Sequence, residues 1–225
     1  MKVSTEDIRA AMDSIARFLI ESELAIDMNP AVVLAQKNQR SLVTWSSTGI
    51  STAFTNHVFG SFSEYLQLVK DRQFSVVLKD GALLQMSYTV ESNGDVYDHR
   101  LCWYPCPAPF ELDVLLEGMT LDEIVESTPL NLLYCKGPIR FDYSPRQQKM
   151  GHPASHIHFF NDDSRVPVRG PLSITTFATF VLKHFYASDF KAIEKKPTFD
   201  SWEEPIRLEA DEYYEPHLYW RTGQP

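Results

Sequence analysis

A chain of 225 residues with 44% hydrophobic and 23% charged side chains is long enough to bury a sizeable core and too apolar to be disordered throughout. Its net charge of −9 excludes broad, sequence-independent coating of nucleic acid, which needs many clustered lysines and arginines. The sequence has no run of about eighteen apolar residues and no apolar stretch behind its charged first residues, so neither a membrane span nor a secretory leader is expected.

Ser4-Thr5-Glu6-Asp7 reads as a capping box that opens a helix, with Ile8, Met12, Ile15, Phe18 and Leu19 on one stripe and a stop before Asn29-Pro30. Ser61-Phe62-Ser63-Glu64 opens a second helix through Tyr65, Leu66, Leu68 and Val69. The middle reads as strands: Phe74–Leu78, the turn pair Asp80-Gly81, Leu83–Val90, the turn pair Asn93-Gly94, then Val96–Tyr104. Gln85 and Ser87 fall on the polar face of their strand. The prolines at 105, 107 and 109 cannot continue a central strand and mark a candidate seam. Thr120 caps a short helix, Ile139–Tyr143 and Ser155–Phe160 read as two more strands, and Ser173 caps a helix carrying Ile174, Phe177, Val181, Leu182 and Phe185. Hairpins in place of strand–helix–strand alternation predict an α+β domain over residues 1–197 on a mostly antiparallel sheet, with an N-terminal and a late amphipathic helix packed on it. Residues 198–225 form an acidic, aromatic extension.

Chemistry concentrates between positions 136 and 170, where six basic residues face three acids on an otherwise acidic chain. His152, His156 and His158 lie within seven residues, and His156 and His158, two apart on a strand, share a face. Three imidazoles suit a divalent ion, an anion or acid/base chemistry, and equally a structural hydrogen-bond network. The surrounding cations argue against a metal, so no metal set and no cofactor is expected. Arg165 and Arg169 precede the helix start at Ser173, where free N–H groups favour phosphate or carboxylate. Pairing of Arg165 with Asp142 or Asp163 is the plainer alternative. The candidate catalytic residues are therefore His156, His158 and Arg165, and the candidate ligand-binding residues His152, Arg140, Arg169 and Ser173. His99, Cys102, Cys106 and Cys135 have the residue types of a zinc site but lack a second paired motif, and reduced core thiols are the plainer reading. Phosphate-loop, dinucleotide, nucleophile-elbow and zinc-protease motifs are absent.

Three blocks carry a resemblance: Leu78–Tyr88, His99–Pro105, and the Arg140–Tyr186 region with His-Pro-x-x-His-x-His-Phe, Arg-x-Pro and a helix ending in Phe-Tyr. Together they resemble a bacterial domain-of-unknown-function family across most of residues 1–190, the extension after Lys196 falling outside the match. The resemblance implies a bacterial cytosolic setting, mobile or defence-type gene neighbourhoods and a possible anti-phage role, with no catalytic assignment. Two functions are expected from different classes. One is a non-catalytic component or effector of a multi-protein system, with a His/Arg cleft for a phosphate-bearing ligand or partner. The other is a phosphodiester- or nucleotide-acting hydrolase using His156 and His158 as acid and base. In the extension, Trp202, Tyr213, Tyr214 and Trp220 among acids suit docking to a basic protein surface or self-association, with folding back on the chain's own sheet as the competing outcome.

Overall fold

The Ser4 hydroxyl accepts from the Asp7 N–H while the Asp7 carboxylate accepts from the Ser4 N–H, and this reciprocal cap starts α1 (Thr5–Glu21). The structure, a computed structural model, describes residues 2–46, 61–110, 114–115, 117–161, 163–193, 198–199 and 218. Helix α1 ends at Glu21, earlier than the sequence predicts, because Leu24 leaves the helix and β1 (Ala25–Met28) begins. Two further short strands, β2 (Val32–Ala35) and β3 (Ser41–Thr44), follow as an antiparallel pair. Ser61 caps α2 (Phe62–Lys70) through the Glu64 N–H. The central strands are β4 (Val76–Leu78), β5 (Leu83–Val90) and β6 (Val96–Tyr104). Gly81 and Gly94, at φ +79° and +87°, make the turns that join them, a backbone region costly for any residue with a Cβ. Thr120 and Glu123 form the capping box of α3 (Leu121–Ser127). Strands β7 (Ile139–Tyr143), β8 (Ser155–Phe159) and β9 (Val166–Pro167) then precede α4 (Ile174–Phe185), capped by Ser173, and α5 (Ala187–Ala192). The pairings between the described strands are antiparallel, so the fold is α+β as its hairpins predict.

The sheet runs β1-β4-β5-β6-β7-β8-β9, with β3 pairing to the far half of β5 and β2 pairing to β3. Alternation along each strand sorts the residues onto two faces. Leu84, Met86, Leu101, Trp103, Phe141 and Ile157 join one apolar cluster with the stripes of α1 and α4. Each larger side chain there, such as Ile8, Ile15 or Phe177, contributes about 1.5–3 kcal/mol by leaving water. On the opposite face Val77, Leu83, Cys102 and Tyr104 pack with Tyr65 and Leu68 of α2 and with Leu121 and Val125 of α3. Strand β6 stops at Tyr104, where Pro105 begins, and the proline segment then tucks Cys106 and Ala108 into this second cluster. That segment is therefore the wall of a core. Beyond the reach of α2 and α3, the same face of β5 to β8 carries polar side chains.

Of the extension, Phe199 packs on Phe18 at 5.6 Å between ring centroids, and Leu218 forms a parallel bridge with Val168. Trp202, Tyr213, Tyr214 and Trp220 lie outside the described residues.

Candidate functional site

Two rows of side chains cross the polar face, each set by strand register. Arg100 of β6 stands opposite Asp142 of β7, and Asp142 opposite His156 of β8. One step along, Cys102 stands opposite Arg140 and Arg140 opposite His158. Cross-strand partners on one face are close enough to bond, so register delivers two arginines, one carboxylate and two imidazoles to one spot.

Asp142 is the hub. Its Oδ2 accepts from Arg140 Nε at 2.9 Å and lies 3.4 Å from His158 Nε2, while its Oδ1 accepts from Arg100 Nε at 3.3 Å. Burial alone would raise this carboxyl, but the Arg100 and Arg140 guanidiniums and His158 outweigh it and hold Asp142 well below the usual carboxylate range. His156 and His158 are each 2% exposed, and their Nε2 atoms are 3.0 Å apart. His156 Nδ1 lies 2.8 Å from the Pro153 carbonyl, which can only accept, so the proton of neutral His156 sits on Nδ1 and its Nε2 lone pair faces His158. His158 Nε2 then faces two acceptors, His156 Nε2 and Asp142 Oδ2, and carries the proton between them. Burial is the main cause that pushes His156 down to about 4, with His158 and His152 adding to it against the pull of Asp142. Burial, then the Arg165 charge, also lowers His152, whose ring lies 4.8 Å from that of His156.

Asp142, 15% exposed in its side chain, also lines a cleft of about 500 Å3. Ser87, Thr89, Asp98, Arg100, Ser144 and Arg146 share that lining. Arg100 and Arg146 keep 32% and 53% of their side chains exposed. Arg146 pairs with Asp98 at 3.1 Å and bonds the Tyr97 hydroxyl, so the cleft presents cations and anions side by side.

Of the residues singled out in the sequence, Arg140, His156 and His158 meet in one cluster, and His152 flanks it. Arg165 is electrostatically close to His152, but among the described residues no hydrogen bond joins it to His156 or His158. Asp142 pairs with Arg100 and Arg140 in the place of Arg165. Arg169 is buried, and its backbone N–H donates to the Leu218 carbonyl. The Ser173 hydroxyl is occupied by the helix cap, accepting from the Thr176 N–H and donating to Thr176 Oγ1. Gln85 and Ser87 lie on the polar face yet are buried, with Gln85 Nε2 donating to the Gln73 carbonyl at 2.6 Å. The residues missed from sequence are Asp142 as hub, and Arg100 and Arg146 in the cleft. The alternation of Arg140 and Asp142 on β7 signals that they share a face, whereas the register that adds Arg100 is not readable from spacing.

The cysteine set does not assemble. His99 and Cys102 leave opposite faces of β6, His99 accepting from the Leu172 N–H at 2.9 Å on the α4 side. Cys106 is buried beneath α2 and α3 and Cys135 is exposed. Among the described residues, the group of metal-ligating side chains that does converge is Asp142, His156 and His158, with one ligand atom from each within 4.8 Å of the others. No described helix is long and apolar enough to cross a membrane.

No curated protein and no solved structure matches the chain. A family model does match, over residues 24–220, and thus takes in most of the acidic extension as well as the histidine strand; the chain belongs to the family described as Uncharacterized conserved protein (DUF2290).

Proposed function

We propose that this chain is a non-catalytic component or effector of a bacterial multi-protein system, of the anti-phage kind implied by its resemblance, and that the cleft beside Asp142 takes a phosphate-bearing ligand or partner group. The observation that carries this is the pair of partly exposed guanidiniums, Arg100 and Arg146, lining one cleft with the hydroxyl residues Ser87, Thr89 and Ser144. A guanidinium has five N–H donors, so pairing with a carboxylate is compatible with a further phosphate oxygen. Because Asp98 and Asp142 compete for the same cations, a dianionic phosphate suits the cleft better than a monoanion. Binding is favoured over chemistry because His156 and His158 are buried behind Asp142, and His156, held near 4, has no proton to donate from Nε2 at neutral pH.

Calorimetric titration with pyrophosphate and with ATP at low and high salt tests this. Binding that weakens with salt and is lost in Arg100→Ala/Arg146→Ala supports it; no heat at millimolar ligand refutes it. The second reading, hydrolysis of a phosphodiester or nucleotide with His156 and His158 as acid and base, draws on the direct contact of His158 with Asp142, a cleft residue. Turnover of bis(p-nitrophenyl) phosphate that disappears in His158→Gln favours it. The acidic residues 198–225 are the proposed docking segment for a basic partner surface, tested by solution mass of full-length and truncated chains with increasing salt.

A further inference from the structure

We propose that Asp142, His156 and His158 bind one divalent transition-metal ion between β7 and β8. The three ligands arise from register: Asp142 stands opposite His156, and His158 follows two residues on, so all three leave one face of the sheet. Ligand atoms that share an ion at about 2.0–2.2 Å lie roughly 3–4 Å from one another. His156 Nε2 to His158 Nε2 is 3.0 Å and His158 Nε2 to Asp142 Oδ2 is 3.4 Å, within that range, and the whole set lies within 4.8 Å. The Pro153 carbonyl holds the His156 proton on Nδ1, which turns the Nε2 lone pair inward; an outer hydrogen bond of this kind orients most metal-bound histidines. For its own Nε2 lone pair to join, neutral His158 moves its proton from Nε2 to Nδ1, an atom buried without a hydrogen-bond partner among the described residues.

Two imidazoles and one carboxylate select zinc, cobalt, nickel, iron or manganese over calcium and magnesium, which prefer all-oxygen shells. Three protein ligands leave open positions on such an ion, and Asp142 places it at the cleft wall. Arg100 and Arg140 lie against the same carboxylate and oppose a dication, so an anion on the open side of the ion would balance the charge. A carboxylate has about four lone-pair sites and can serve both guanidiniums and an ion.

The competing arrangement is the proton-sharing chain from Asp142 through His158 to His156, complete without a metal. The deciding experiment uses the full chain carrying Cys135→Ser, which removes the exposed thiol as an adventitious ligand. The protein is loaded with Zn2+, desalted against buffer without phosphate, and its zinc counted. One zinc per chain is expected, with an X-ray absorption spectrum of nitrogen and oxygen scatterers including imidazole. His158→Gln is expected to lower retention at least about tenfold and His184→Gln, at an exposed position of α4, to leave it unchanged. Retention below about one zinc per ten chains, sulfur scatterers, or equal retention in a folded His158→Gln variant overturns the proposal. If His158→Gln does not fold, the absorption spectrum of the parent chain decides. Because phosphate is absent throughout, failure here leaves phosphate binding by Arg100 and Arg146 standing.

Discussion

Acid should unfold this protein through its buried histidines before its carboxylates titrate. Burial drives His99 down to about 3, outweighing the opposing charge of Asp142, and drives His156 down to about 4. A histidine with a depressed folded pKa binds its proton only when the chain unfolds. Its stabilisation is therefore complete above the unfolded pKa of about 6.5 and is lost as pH falls toward 4 and 3. At pH 5 the unfolded imidazole has taken up nearly a full proton and the folded one almost none. The loss between pH 8 and pH 5 is about 1.5 pH units at 1.36 kcal/mol each, or about 2 kcal/mol per histidine and about 4 kcal/mol for the two. His152 shifts in the same direction and adds to the slope. Asp142, depressed below the carboxylate range, contributes only below about pH 4 and so does not confuse this window. Urea unfolding followed by tryptophan fluorescence in chelator at pH 8, 7, 6 and 5 measures the slope, and calorimetry in two buffers measures proton uptake, expected near two per chain at pH 5. His156→Gln should remove about half of the dependence. A stability flat between pH 8 and 5, or rising on acidification, refutes the assignment of both imidazoles as buried and neutral.

Asp142→Asn removes the counter-charge of Arg140, whose side chain is only 6% exposed, and should lower stability by about 3–5 kcal/mol in urea titrations, whereas Arg146→Ala should change it by less than about 1 kcal/mol. Gly81→Ala forces a Cβ into the left-handed region and to 3.1 Å from Cys106 Sγ, so a loss of about 1–2 kcal/mol or more is expected, read as a lower Tm. Cys135 is exposed, while burial pushes the Cys102 and Cys106 thiols up; Ellman's reagent should label one thiol per native chain quickly and three after denaturation. Truncation after residue 197 removes Phe199 from Phe18 and Leu218 from its bridge to Val168, and should lower Tm even where solution mass is unchanged.

Short-range chemistry was legible in the sequence. Serine and threonine caps at positions 4, 61, 120 and 173 and the Asn-Gly turn satisfy their backbone groups within a few residues, and the runs of β5, β6, β7 and β8 are long enough to show a strand pattern, so spacing alone places them. The shared face of His156 and His158 follows equally from the two-residue period of a strand. The four-residue strands β1, β2 and β3 escape such reading, because β1 pairs with β4 and β3 with β5 far along the chain, and the short β2–β3 connection carries no Asn-Gly or Asp-Gly pair to announce it. The same holds for the site. Asp142 joins the imidazoles through the β7–β8 register, Arg100 joins Asp142 through the β6–β7 register, and one residue of slip would send each to the apolar face. Register depends on how two apolar clusters fill simultaneously on opposite sides of one sheet, a long-range packing condition that no local stretch of the chain contains.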